Sequence, residues 1–109
     1  MNFGTFAGEL KGNPLVGLPT IYVVKGTTQN AAPSFHYILT NTATTTVTLP
    51  RNPSPGDTVY VTVANGLATN VVARNGSAIE SIAEDMTLNA AYASVQLRFT
   101  NPTVGWVLT

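Results

Sequence analysis

The sequence has no cysteine, which excludes a disulfide scaffold, a thiolate metal site and a cysteine nucleophile. It has little charge: five basic and five acidic side chains make up 9% of the 109 residues and cancel to a formal net charge of zero. Such a chain offers no electrostatic footprint to nucleic acid or to an anionic membrane, so neither is expected as a partner. The single histidine, His36, rules out a histidine-rich metal site, and no serine stands at a spacing from it that suggests a catalytic triad. No apolar run is long enough to span a membrane, and Met1 to Lys11 lacks the basic start and apolar core of a secretory signal. The product is therefore expected to be made and kept in the cytosol, or assembled there into something larger. No window carries an apolar stripe at helical spacing, which leaves an all-β chain.

What is present fits that class. Asp57 to Ala64 alternates strictly, with Val59, Val61 and Val63 on one face of an extended strand and Thr58, Tyr60 and Thr62 on the other. Thr20 to Val24 is a short β-branched run that reads as a first strand buried on both faces. Gly26 to Pro33 reads as a polar loop. Ser34 to Thr40 turns Phe35, Tyr37 and Leu39 to one side and His36 and Ile38 to the other, while Thr44 to Leu49 sets Thr45, Val47 and Leu49 inward. Pro50 to Gly56 cannot continue a ladder, because proline lacks the amide donor, and it reads as a stiff connection. Asn65-Gly66 and Asn75-Gly76 tolerate positive φ and read as hairpin turns. Further strands are expected at Val71 to Arg74, Met86 to Leu88, Tyr92 to Phe99 and Val104 to Leu108. Trp106 plugs the end of the core. The length allows one such domain, an antiparallel β-sandwich or small barrel over residues 21–109.

Residues 1–20 differ in kind. Glycine and proline interrupt them throughout, yet Phe3, Phe6, Leu10 and Leu15 are scattered among these breakers, as suits either an arm that becomes ordered on docking to a partner or a neighbouring subunit or an ordinary loop packed on its own domain. Self-association is expected for the domain as well, since zero net charge with 44% hydrophobic residues gives copies little mutual repulsion.

Candidate chemistry is sparse. Glu80, Glu84 and Asp85 form an acidic cluster, but their spacing is not that of a calcium loop, and a solvated turn is the simpler account. Asp57 follows Pro55-Gly56 and closes a turn through backbone amides. Asn75-Gly-Ser77 matches a glycosylation acceptor and, without a secretion signal, is a turn. Arg51, Arg74 and Arg98 are too dispersed to form a patch. Tyr60 and Tyr92 both lie opposite inward apolar sets: exposed together they suit stacking on sugar rings, and buried they are oligomer contacts. Neither an enzyme nor a cofactor is expected.

One resemblance narrows the reading. The order Leu49-Pro50, Gly56-Asp57-Thr-Val59, Asn70-Val-Val72, Arg74-Asn-Gly76, Ile79, Leu88-Asn89, Val95-Gln-Leu-Arg-Phe99 and Gly105-Trp106 resembles a β-module of tailed-bacteriophage virion proteins, found in tail fibres, tailspikes and small head-decoration proteins. The resemblance implies a β-sandwich that assembles as a homotrimer and serves as a structural component of the virion. With one module behind a short arm and no shaft, it implies a capsid decoration or cement protein on the head surface. Phe3, Phe6, Leu10 and Leu15 would then dock on the major capsid protein. The alternative it implies is a tail-fibre or receptor-binding module that recognises host surface glycan through Tyr60 and Tyr92.

Overall fold

The structure is a computed structural model and describes residues 18–109. Those residues form nine strands and no helix: β1 (Thr20–Val24), β2 (Thr28–Asn30), β3 (Phe35–Leu39), β4 (Thr46–Thr48), β5 (Thr58–Val63), β6 (Asn70–Ala73), β7 (Met86–Leu88), β8 (Ser94–Asn101) and β9 (Gly105–Leu108). One sheet has the order β1-β3-β5-β8-β9 and the other β2-β4-β6-β7. The described residues are thus all-β, as periodicity predicts.

The sheets are mixed, which corrects the antiparallel expectation. β1, β3 and β5 run parallel in one sheet, and β2, β4 and β6 run parallel in the other. Consecutive strands alternate between the sheets, so the chain winds through three successive coils, each laying one strand in each sheet. Only then do antiparallel neighbours appear, with β7 beside β6 and the β8–β9 hairpin beside β5. Asn65-Gly66 is therefore a corner between sheets and not a hairpin. Its backbone does turn as the sequence indicates, with Gly66 at φ 74°, but Leu67 to Thr69 carry the chain onward to the second sheet. Asn75-Gly76, with φ 52° and 98°, leads into a loop and pairs no two strands.

Asparagine and threonine side chains stitch the coils together at these corners. Asn41 Nδ2 donates to Lys25 O at 2.8 Å, and Asn65 Nδ2 donates to Asn41 O at 2.8 Å. The three residues follow β1, β3 and β5 respectively, so each coil is tied to the one before it. On the way into the second sheet, Thr45 Oγ1 donates to Gly26 O at 3.4 Å, and Asn70 Oδ1 accepts from Thr45 N at 2.9 Å. Asn70 Nδ2 donates to Asn65 Oδ1 and Leu67 O, which satisfies its buried amide on both ends.

The core lies where the inward faces of both sheets meet. Leu39, Val59, Val61, Val63, Leu97 and Trp106 from the first sheet share one buried cluster with Val47, Val72 and Leu88 from the second. The valines of β5 are inward as their alternation predicts, and so are Thr45, Val47 and Leu49. Trp106 is fully buried, edge-on to Phe99 with ring centroids 5.5 Å apart.

Candidate interaction surface

β1 is one of the two edge strands of the five-stranded sheet, β9 being the other. Thr20 N donates to Ser34 O, and Val24 O accepts from Thr40 N. In a parallel ladder a residue's N–H and C=O address the same neighbour, so Thr20, Tyr22 and Val24 face β3. Ile21 and Val23 then turn their backbone groups away from the sheet, where no strand among the described residues pairs with them.

The side chains of this strand are exposed too. Leu18, Ile21, Tyr22 and Val23 are 62, 56, 47 and 44% exposed, and of the strand only Val24 is buried. The expectation that Thr20 to Val24 is buried on both faces is therefore not met among the described residues, where only Val24 is buried. Two features account for it. Ile21 and Val23 project from the sheet face away from the core, beside His36 and Ile38 of β3. On the core face, Tyr22 packs at an angle on Tyr37 with ring centroids 5.9 Å apart, and β2, in the other sheet, is Thr28-Gln29-Asn30 and has no apolar side chain to cover it.

The two tyrosines singled out from the sequence are not brought together. Tyr60 lies opposite Gln96 inside the ladder, whereas Tyr92 lies in the turn that precedes β8, and their rings form no pair. Tyr60 is half-buried beside His36, with ring centroids 5.8 Å apart. His36 Nε2 in turn lies 2.6 Å from Thr62 Oγ1, which lies 2.7 Å from Ser94 Oγ, so the histidine belongs to a polar row across β3, β5 and β8. Tyr92 is 72% exposed on a left-handed backbone at φ 61°, two residues before β8 begins.

Three acidic side chains, Asp57, Glu80 and Asp85, accept from backbone amides. Asp85 Oδ1 accepts from Arg74 N at 2.9 Å, and Glu80 Oε2 accepts from Leu108 N at 3.3 Å. Asp57 closes the Ser54–Asp57 turn, its carboxylate accepting from Ser54 N while its own amide donates to Ser54 O. Among the described residues no three histidine, cysteine or acidic side chains are grouped as a metal site. Phe3, Phe6, Leu10 and Leu15 lie outside the described residues.

One feature of the surface escapes a reading by periodicity. The stiff Pro50 to Gly56 connection folds toward the Asn75 turn and leaves an open cleft of about 680 Å³, lined by Arg51, Pro53, Pro55, Asn75 and Pro102 among others. Its walls come from three loops distant in sequence, so no local signal announces it. No family model matches this sequence, and no curated protein is significantly similar to it.

Proposed function

We propose that this chain is a structural component of a phage virion: a head decoration or cement protein whose two sheets form a sandwich held on the capsid by the arm of residues 1–20. The observation that carries this reading is where the arm enters the domain. The arm's last residue, Thr20, is the first of β1, an edge strand of its sheet and the strand with the most exposed apolar side chains. An arm anchored on a neighbouring subunit thus delivers an adhesive edge to the assembly rather than a solvated face. The work is mechanical: bridging capsid subunits buries apolar area at about 25 cal/mol per Å², which opposes outward pressure from packaged DNA. Copies associate with one another on the shell, three together in the form the resemblance implies.

The test compares the full chain with a version that lacks residues 1–17, in co-sedimentation with capsids stripped of the protein. The truncated chain is expected to keep its far-ultraviolet circular dichroism and lose capsid binding. Unchanged binding would remove the anchoring role from the arm.

The exposed ring of Tyr92 favours a second reading, a tail-fibre module that stacks on host glycan. That reading predicts glycan binding that survives removal of the arm and is abolished by Tyr92→Ala. It no longer draws on Tyr60, whose half-buried ring is engaged with His36.

A further inference from the structure

We infer that the β1 edge, with Leu18, Ile21, Tyr22 and Val23, is the surface through which copies of this chain meet. The inference rests on the self-association in the reading above and names its site. Three observations converge on it. Among the described residues no strand pairs with the outward backbone donors and acceptors of Ile21 and Val23, and natural sheets ordinarily cover such an edge or blunt it with charge. The strand exposes apolar side chains on both faces, although its β-branched composition is that of a strand enclosed on both sides. A neighbour that covers the edge and both faces resolves the mismatch between composition and exposure.

The occupant follows from charge. Near a symmetry axis a residue meets its own copy, so a charged patch repels itself there, whereas an uncharged apolar patch is complementary to itself. From Leu18 to Val24 no side chain is charged, and Lys25 stands just past the end of the strand. Two copies can close over this segment without burying an ion. Exposed apolar groups elsewhere lack this combination: Ile82 is 55% exposed but sits in a loop, with Glu80, Glu84 and Asp85 beside it.

The test is the solution mass of the full chain by light scattering over a concentration series, alongside Ile21→Lys, Val23→Lys and, as a control, Ile82→Lys. The wild type and Ile82→Lys are expected to be oligomeric. Ile21→Lys and Val23→Lys are expected to weaken association by about 100-fold or more, because each would bury an unpaired ammonium. Both positions are exposed in the single chain, so both variants should keep the wild-type circular dichroism. Amide exchange at Ile21 and Val23 should be at least about tenfold slower in the oligomer than in the monomeric variants.

A monomeric wild type, or lysine variants with undiminished mass, would overturn the inference, as would loss of association in Ile82→Lys alone. A wild type that is monomeric in solution but protected at β1 on capsids would overturn it as well, and would make the shell the occupant. Capsid binding separates this inference from the decoration reading. A wild-type oligomer that dissociates on Ile21→Lys and ignores capsids supports the interface and refutes decoration, whereas a monomeric wild type that binds capsids does the reverse.

Discussion

Gly105 occupies a position that no side chain can share. Its φ is 79°, and an ideally placed Cβ there would lie 1.9 Å from Ala78 O, the same carbonyl that accepts from Trp106 N at 2.9 Å. The obstruction is backbone that is itself hydrogen-bonded and cannot swing aside. Gly105→Ala should therefore cost at least about 3 kcal/mol in urea unfolding, the sum of a left-handed alanine and a displaced strand. Gly66 is a milder case, since its Cβ would meet only the hydroxyl end of the exposed Tyr92 side chain at 2.9 Å. At Asn70 the polar cost dominates. Asn70→Ala would strand the amide of Thr45 and the carbonyl of Leu67, for an expected loss of about 3 kcal/mol and a lower urea midpoint with an unchanged slope. At Trp106 packing dominates, because the ring is fully buried in the core and no described residue bonds its Nε1. Trp106→Ala should cost about 3–5 kcal/mol, and Trp106→Phe less than half of that, since phenylalanine restores most of the packing.

At the scale of the strand, two segments of similar composition behave oppositely. Val59 in β5 is fully buried and Val23 in β1 is largely exposed. Val59→Ala should lower the stability of the single chain by roughly 2–3 kcal/mol, and Val23→Ala by less than about 0.5 kcal/mol when both are measured in thermal melts of a monomeric background. Strict alternation made the inward sets of β3, β4 and β5 legible in the sequence, because period two is a property of the strand alone. It says nothing about which strand lies alongside. A parallel partner comes from a whole coil away, and the asparagines that tie one coil to the next look in sequence like ordinary turn residues. β2 was illegible for a related reason: Thr28-Gln29-Asn30 has no apolar side chain, and its place in the sheet comes from backbone bonds to β4. In β1 the apolar composition is plain from the sequence, but burial depends on a cover that no other described residue supplies.

For the molecule as a whole, the sequence conveyed the all-β class and the inward residues, while the coiled topology, the cleft and the separation of Tyr60 from Tyr92 all arise from contacts between distant segments. The core cluster draws on both sheets without any contribution from Leu18, Ile21 or Val23. The described domain should accordingly fold without the arm, and the arm should act on assembly and not on domain stability. The most direct measurement is co-sedimentation of the full chain and of residues 18–109 with capsids that lack the protein. Saturable binding of the full chain, with the folded shorter chain left in the supernatant, is the predicted result. A full chain that stays in the supernatant beside purified capsids would contradict the account.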